Sequence, residues 1–240
     1  MLPALPPFER SALLLDLDGT LLDIAPAPDQ VVVPPDLPDV LRRLRQRLSD
    51  AVAVVTGRPV ETVDALLGDA VYAVAGEHGG AIRRTPDSAL ERPRLPPPPD
   101  AWLVEAERMA AAHPGALLER KTRGFALHYR GAPDAELAFR DGLTALLGSR
   151  DDFELLAGHM IWEVRPRGID KGTAVHELMD RVPFRDRLPV FVGDDVTDRD
   201  GIRAAQARGG AGLWVPDLFG DAAGVRAWLT TVATIGAWST

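Results

Sequence analysis

The sequence predicts an α/β fold that combines a core built on a parallel sheet with an inserted α+β cap domain. Segments of strand and helix character alternate over residues 12–75, which is typical of a parallel sheet covered by helices. A proline-rich stretch at 86–100 interrupts this alternation, and the segments after it follow the order of a small, mainly antiparallel α+β domain. We therefore assign residues 1–90 and 167–240 to the core and residues 91–166 to the cap.

The first part of the core begins with an apolar run at residues 12–15, which predicts a buried strand. Apolar residues at helical spacing then predict an amphipathic helix at 39–48. Apolar runs and turn residues place the remaining elements of this part. They are a strand within residues 50–58, a helix at 60–67 that ends at Gly68, and a strand at 71–75.

The cap and the second part of the core are predicted from the same signals. The cap is expected to contain two helices and four strands, of which the last two form a hairpin. Its helices are predicted at 102–112 and 135–147, and its strands at 116–120, 125–130, 153–156 and 160–165. The core is predicted to continue with a helix at 172–179 and strands at 189–192 and 213–215.

The composition limits the functions that the chain can have. The net charge of −8 argues against a general nucleic-acid or anionic-membrane binder, although it allows an anionic small substrate. The absence of cysteine excludes disulfides, thiolate nucleophiles and thiolate metal sites. No apolar run approaches membrane-spanning length, and the N-terminal segment lacks the long apolar region of a signal peptide. We therefore expect a cytoplasmic protein.

Two aspartates, Asp16 and Asp18, lie one residue apart directly after the first predicted strand. Aspartate is disfavoured within strands and is costly to bury without a partner, so the pair is expected at the strand end. A metal ion or a ligand can compensate the two charges there. The alternative is a solvated pair of acids in the loop that follows the strand.

A second acidic cluster, with aspartates at 194, 195, 198 and 200, follows the strand predicted at 189–192. Carboxylates this close in sequence repel one another unless a cation lies between them, and oxygen ligands suit a hard ion such as Mg²⁺. The alternative is a helix N-terminus complemented by acids. It accounts for Asp198 or Asp200, but not for the adjacent Asp194 and Asp195 at a strand end.

Two further residues complete a set that is suited to phosphoryl chemistry. Thr56, at the end of the second strand, can donate its hydroxyl to a phosphate oxygen. Lys171, at a helix start, can place a compact positive charge on the same group. Either residue alone would be uninformative, but the order of acid pair, threonine, lysine and acid pair is specific.

This set resembles the motifs of the haloacid dehalogenase superfamily of phosphotransferases. The match comprises DLDGT at residues 16–20, Thr56, Lys171 and GDDVTD at residues 193–198. The chain further resembles the trehalose-6-phosphate phosphatase family. The segments that carry this narrower resemblance are TGR at 56–58, GEHGG at 76–80, ERKTRGFALHYR at 119–130, WEVRP at 162–166, KGTA at 171–174 and GDDVTDRD at 193–200.

The resemblance implies Mg²⁺-dependent hydrolysis of a phosphate monoester on a Rossmann-like core. Asp16 would attack phosphorus and form an aspartyl-phosphate, and Asp18 would protonate the leaving sugar oxygen and later deprotonate water. Thr56 and Lys171 would bind the phosphoryl oxygens. The implied metal ligands are Asp16, Asp18 through its backbone carbonyl, and Asp194, with Asp195 or Asp198 completing the shell.

The resemblance also implies a set of substrate-binding residues. Carboxylates are suitable acceptors for sugar hydroxyls, and an arginine can bind hydroxyls or phosphate. On the residues alone, each cap position is equally consistent with a solvated strand residue. The family commonly has lysine where this chain has His159, which alters one sugar contact. The implied set comprises Arg58 in the core and Glu119, Lys121, Arg130 and Glu163 in the cap.

The resulting interpretation is a monomeric phosphatase that acts on trehalose 6-phosphate, a small molecule, without nucleic-acid or membrane partners. The related alternatives are capped phosphatases for sucrose 6-phosphate or a glycosyl-3-phosphoglycerate. A non-catalytic sugar-phosphate sensor would not need to keep both Asp16 and Asp18. A receiver-type signalling module would not need the inserted cap and would leave Asp18 without a role.

Overall fold

The structure is a computed structural model that describes residues 2–25, 30–92, 97–121, 123–158 and 160–239. His159 and residues 93–96 of the proline-rich stretch therefore lie outside the described residues. The strands are β1 (Ser11–Leu15), β2 (Val52–Val55), β3 (Ala73–Gly76), β4 (Ala81–Arg83), β5 (Leu117–Arg120), β6 (Phe125–His128), β7 (Phe153–Gly158), β8 (Ile161–Pro166), β9 (Leu188–Gly193) and β10 (Ala211–Trp214). The helices are α1 (Leu37–Arg47), α2 (Val60–Leu67), α3 (Asp100–Ala111), α4 (Glu136–Leu147), α5 (Lys171–Met179), α6 (Asp198–Ala207), α7 (Val215–Leu218) and α8 (Ala222–Ile235).

The chain divides into two compact units, of which the first comprises Met1–Pro93 and Asp170–Thr240. Its sheet has the strand order β10-β9-β1-β2-β3-β4, and all strands are parallel except β4. In β1, Leu13 pairs with Val52 of β2 on one side and with Val190 of β9 on the other. Every residue of β1, β2 and β3 is buried, which explains why these strands are continuous apolar runs.

Helices of the first unit pack in pairs, α1 against α8 and α5 against α6. The buried residues of α1 recur at intervals of three and four, so that one face of the helix joins the core. Burial of this apolar stripe stabilises the helix more than its intrinsic propensity does. None of the helices within the described residues combines the length and the apolar character that crossing a membrane would require.

The second unit, Arg94–Ile169, has a separate sheet and a separate core. Its four strands have the order β5-β6-β8-β7 and are antiparallel throughout. Phe125 and Val164 on one face of the sheet belong to a buried cluster that also contains Trp102 of α3 and Phe139 of α4. The opposite face is polar, as an antiparallel sheet allows.

The predicted fold class is confirmed, because a mostly parallel α/β sheet is combined with an α+β unit. The elements that were predicted are present with small differences at their ends, where assignments commonly vary. β4, α7 and α8 were not predicted, and α6 was anticipated only as the helix N-terminus considered for Asp198 or Asp200. β4 has only three residues. In α8, threonine, valine and isoleucine are frequent, and these β-branched residues weaken the helical signal.

Candidate active site

Functional residues predicted from the sequence follow neighbouring parallel strands at one edge of the core sheet. Asp16 follows β1, Thr56 follows β2 and Asp194 follows β9, and these three strands are adjacent. The crevice at the carboxyl ends of such strands is where open α/β sheets bind ligands. Lys171 is the first residue of α5, and the side chain of Asp170 caps this helix. The capped N-terminus of α5 therefore fixes the position of Lys171.

The Lys171 ammonium group lies between two buried carboxylates. Its Nζ atom is 2.5 Å from Oδ1 of Asp16 and 2.5 Å from Oδ1 of Asp198. The side chains of Lys171, Asp16 and Asp198 are 3%, 5% and 0% exposed. Buried charges of this kind persist only when they are paired and hydrogen-bonded, so the three side chains form one structural unit.

Burial and pairing shift the pKa values in this unit. Burial raises the pKa of Asp16 to about 6, although the charge and the hydrogen bond of Lys171 oppose this change. Burial and the charge of Asp16 raise the pKa of Asp198 to about 6. Burial would lower the pKa of Lys171, but the charges of Asp16 and Asp198 outweigh it and raise that pKa. Lys171 is therefore the fixed positive charge of the site.

The loop that carries Asp194 is held by hydrogen bonds from both sides. The Thr20 hydroxyl donates to Oδ1 of Asp194 at 3.0 Å, and Oδ2 of Asp198 accepts the backbone N–H groups of Asp194 and Asp195 at 3.0 and 2.8 Å. Gly19 has a φ of +84°, and a Cβ atom at this position would overlap the Asp194 carboxylate. The glycine of the DLDGT segment is therefore required by both conformation and space.

Three carboxylates are arranged so that they could hold a metal ion. Among the described residues, Asp16, Asp194 and Asp198 each offer one carboxylate oxygen, and these three oxygens lie within 4.8 Å of one another. Oxygen-only ligands in this number fit a hard divalent cation, with water and substrate as further ligands. Asp195, which the sequence analysis placed among the metal ligands, has an exposed side chain and is outside this group. Asp198, the alternative named with Asp195, belongs to the group.

The side chain of Asp18 is bound by Arg58. Nε and Nη2 of Arg58 donate to Oδ2 and Oδ1 of Asp18 at 2.6 and 2.8 Å. Arg58 follows Thr56 by two residues, and its backbone N–H donates to the Thr56 hydroxyl oxygen at 3.2 Å. This contact leaves the hydroxyl hydrogen of the buried Thr56 available to a phosphate oxygen. The resemblance implied a substrate-binding role for Arg58, and the structure pairs its guanidinium with the Asp18 carboxylate.

The cap residues Glu119 and Glu163 lie on the polar face of the cap sheet. Ala126 of β6 is opposite Glu119 on β5 and opposite Glu163 on β8, so the three side chains form one row across the sheet. The strand spacing of about 4.8 Å puts the two carboxylate-bearing positions about 10 Å apart. Ala126 itself is fully buried.

Each of these glutamates has a basic partner within the cap. Nε2 of His128 is 2.7 Å from Oε2 of Glu119, and Nζ of Lys121 is 2.8 Å from Oε2 of Glu163. Arg130, two residues beyond β6, has an exposed side chain. The pairs are partly exposed, so they contribute little to stability but fix the direction in which the carboxylates point.

Two contacting residues were given no role from the sequence, namely Thr20 and His128. One signal was available but unused: Lys121 and Lys171 are the only lysines among 27 basic residues. The other residues in this count are arginines, so a lysine indicates a position that needs a compact charge. Both lysines contact carboxylates that the sequence analysis had assigned to a site.

Comparisons with known proteins identify the family of the chain. The chain matches the family described as trehalose-phosphatase over residues 14–215. It is 38% identical over 203 residues to a probable trehalose-phosphate phosphatase of Sinorhizobium fredii, covering 84% of this chain and 76% of that protein. It is 36% identical over 234 residues to the trehalose-6-phosphate phosphatase of Escherichia coli, covering 95% and 85% of the two chains.

Solved structures extend the similarity to the fold. The C-terminal domain of the C. albicans trehalose-6-phosphate phosphatase superposes with a TM-score of 0.73 at 20% identity and covers 95% of this chain and 93% of that one. A haloacid dehalogenase-like hydrolase of Bacteroides thetaiotaomicron superposes with a TM-score of 0.61 at 14% identity, covering 81% and 85%. The fold is thus that of haloacid dehalogenase-like hydrolases.

Within that class, the chain belongs to the trehalose-phosphatase family. It is a phosphoric monoester hydrolase, and the predicted resemblance is confirmed. The roles of its individual residues remain predictions.

Proposed function

We propose that the chain hydrolyses trehalose 6-phosphate to trehalose and phosphate, with Asp16 as the nucleophile and Mg²⁺ as the metal ion. The observation that carries this proposal is the buried Asp16 carboxylate at the end of β1, in contact with Lys171 and beside Asp194 and Asp198. A nucleophile of this kind needs nearby positive charge before it can approach an anionic phosphate. The names of the relatives support trehalose 6-phosphate as the substrate.

The first displacement forms a covalent bond between the enzyme and phosphorus. An Asp16 oxygen attacks phosphorus, the bond between phosphorus and the sugar oxygen breaks, and Asp18 donates a proton to that oxygen. Lys171 and the Thr56 hydroxyl bind the phosphoryl oxygens and offset the charge of the transition state. Mg²⁺ bound by Asp16, Asp194 and Asp198 would supply the charge that brings nucleophile and phosphate together.

The second displacement releases phosphate. A water oxygen attacks phosphorus, the bond between phosphorus and Asp16 breaks, and Asp18 takes a proton from the water. Asp16 is thereby restored as a carboxylate, and Asp18 returns to its protonated form for the next cycle. The charge of Lys171 serves both steps, because the charge on the phosphoryl oxygens develops at the same place, and a metal ion held by the carboxylate cluster would add to it.

A panel of phosphorylated sugars tests this function. Phosphate release is measured with trehalose 6-phosphate, sucrose 6-phosphate and a glycosyl-3-phosphoglycerate, each with Mg²⁺ and with EDTA. The highest kcat/KM is expected for trehalose 6-phosphate, and EDTA should stop the reaction until Mg²⁺ is restored. A preference for sucrose 6-phosphate would overturn the substrate while leaving the chemistry in place. Tight binding without turnover would favour the sensor alternative.

The metal site gives a prediction that separates two neighbouring aspartates. Asp198→Asn should weaken binding of Mg²⁺ at least about tenfold, since Asp198 contributes a buried carboxylate to the cluster and orients the Asp194 loop. Asp195→Asn is the matched control, because this side chain is exposed and outside the cluster. Calorimetric titration with Mg²⁺ measures both variants without substrate. Equal weakening in the two variants would contradict the assignment of Asp198.

Sugar recognition is proposed to depend on the cap glutamates. A hydrogen bond to a charged group is worth roughly 1.5–3 kcal/mol, so Glu119→Gln and Glu163→Gln should each lower kcat/KM for trehalose 6-phosphate about ten- to a hundredfold. An aryl phosphate carries no sugar and should be hydrolysed almost as by the unmodified protein. Glu105→Gln is the control, because Glu105 pairs with Arg108 on the surface of α3.

Parallel kinetics on the sugar phosphate and the aryl phosphate decide this prediction. Equal losses on both substrates would mean that the two glutamates support the fold or the chemistry rather than the sugar.

A further inference from the structure

Arg58 holds the Asp18 carboxylate in a two-point contact. Its Nε and Nη2 atoms each donate to a different oxygen of Asp18, at 2.6 and 2.8 Å. The side chain of Arg58 is 15% exposed and that of Asp18 is 34% exposed. A planar guanidinium bound to both oxygens fixes the plane of the carboxylate as well as its position. Arg58 therefore sets the orientation of the Asp18 carboxylate.

The backbone of Arg58 is itself anchored on both sides. Its N–H donates to the Thr56 hydroxyl at 3.2 Å, and its carbonyl accepts the N–H of Glu77 at 3.0 Å. The carbonyl of Thr56 accepts the N–H of His78 at 2.9 Å. Glu77 and His78 both have positive φ values, 54° and 57°, which residues other than glycine rarely adopt.

This unusual backbone gives the GEHGG segment a physical role. Non-glycine residues in the left-handed region persist only where the surrounding contacts impose them, and such positions cluster at functional sites. Here the contacts join the segment to the loop after β2, which carries Thr56 and Arg58. The two loops together form a rigid base from which the guanidinium reaches Asp18.

We propose that Arg58 is a positioning residue that orients Asp18 as the base of the second displacement. The inference rests on the proposed function, since it presupposes the aspartyl-phosphate at Asp16. In the second displacement a water oxygen bonds to phosphorus, the bond between phosphorus and Asp16 breaks, and one water proton passes to Asp18. Arg58 gains and loses no atom in this step.

The hydrogen-bond roles explain why the contribution of Arg58 belongs to the second displacement. A carboxylate has about four acceptor positions, so Asp18 can accept from Arg58 and from water at the same time. In the first displacement Asp18 instead donates a proton, and a hydrogen on either oxygen would oppose one N–H of the guanidinium. The observed contact thus matches the ionised form of Asp18, which accepts a proton from water in the second displacement. During the first displacement Arg58 must release one of the two oxygens.

The test uses p-nitrophenyl phosphate, whose leaving group needs no protonation. With this substrate the first displacement is independent of Asp18, whereas the second still requires the base. Arg58→Met should slow the second displacement by about ten- to a hundredfold, a part of the roughly 10²–10⁴-fold that a positioned base contributes. Rapid mixing should then show a burst of nitrophenolate that approaches one equivalent of enzyme, with the phosphoryl group trapped on Asp16 after acid quenching.

Two further variants complete the design. Arg58→Lys restores the charge but contacts one oxygen, so its burst and its turnover should lie between those of the methionine variant and the unmodified protein. Arg150→Met is the control, because Arg150 binds both oxygens of Asp152 through the same atoms but lies in the other unit. The control should behave like the unmodified protein.

The outcomes distinguish the inference from the proposed function. Slower turnover of Arg58→Met without additional phosphoenzyme would overturn the inference, because Arg58 would then act in binding or in the first displacement. Unchanged turnover would overturn it as well. The absence of any phosphoryl group on Asp16, in the unmodified protein and in all variants with either substrate, would instead overturn the proposed covalent mechanism. If Arg58→Met fails to fold, the intermediate burst of Arg58→Lys remains the deciding measurement.

Discussion

Asp16→Asn is expected to lower phosphate release by at least about 10⁴-fold, which is the scale of loss when a covalent nucleophile is removed. The amide has nearly the shape of the carboxylate but is a far poorer nucleophile, and it also removes one carboxylate from the metal cluster. The fold should remain intact, since Lys171 keeps its contact with Asp198. Phosphate release from trehalose 6-phosphate with Mg²⁺, together with circular dichroism, checks both statements.

The matched control for this prediction is Asp217→Asn. Asp217 lies on α7 with an exposed side chain, so the same chemical change should leave turnover unchanged. Substantial turnover by homogeneous Asp16→Asn protein would exclude Asp16 as the nucleophile. Loss of both activity and fold would show that the carboxylate is needed for folding, and the covalent role would then have to be tested by trapping the phosphoryl group.

Lys171→Met is expected to affect both activity and stability. The substitution leaves Asp16 and Asp198 buried without their shared cation, and removal of one partner of a buried ion pair costs about 3–5 kcal/mol. Turnover should fall to background, because the substitution removes the ammonium group that offsets the negative charge of the phosphoryl oxygens. Thermal or denaturant unfolding in EDTA measures the stability of the metal-free protein.

The stability of this variant should also depend on pH in a defined direction. Burial already raises the pKa of Asp16 and of Asp198 from 3.8 to about 6, and loss of Lys171 removes a charge that opposes this shift. A carboxyl whose pKa is raised in the folded state binds its proton there first, so folding is favoured as pH falls below the folded pKa. The deficit relative to the unmodified protein should therefore be largest above the raised carboxyl pKa of the variant. It should shrink as pH falls towards about 6 and level off below that pH, where the carboxyls are protonated in both folded proteins.

Lys171→Arg separates charge from shape in the same experiment. The guanidinium keeps the positive charge but is larger and planar, and the site is 3% exposed. We expect part of the stability to return without the activity. A fully active arginine variant would mean that the site requires only a cation, and unchanged stability of Lys171→Met would contradict the ionic network.

The order of elements in the core could be predicted because its strands are buried on both faces. Continuous apolar runs such as the one in β1 are a strong signal, and an acid or threonine after such a run marks the functional edge of the sheet. The sequence therefore predicted that Asp16 and Thr56 lie directly after neighbouring buried strands, and the structure has them there. The antiparallel β4 was missed because three residues, one of them Arg83, carry no periodicity.

Side-chain partners could not be predicted in the same way. Asp195 and Asp198 are both aspartates in the same short segment, so the residue type does not distinguish them. In the structure α6 begins at Asp198, whose side chain is buried, whereas the side chain of Asp195 is exposed. The pairing of Arg58 with Asp18 joins residues 40 positions apart and depends on the geometry of two loops. The contact of Glu119 with His128 depends on the register of β5 and β6, which the sequence pattern does not specify.

The position of β1 between β2 and β9 has a consequence for biosynthesis. β2 follows β1 closely in the chain, whereas β9 begins at Leu188, after the whole second unit. While the chain is being made, β1 is an apolar edge strand until β9 has left the ribosome, and such edges invite aggregation. Asp194 and Asp198 follow β9 directly, so the strand that covers this edge also completes the carboxylate cluster. A nascent chain that ends within the second unit would thus have an uncovered β1 and an incomplete carboxylate cluster. Chaperones would be needed to prevent aggregation during that interval of synthesis.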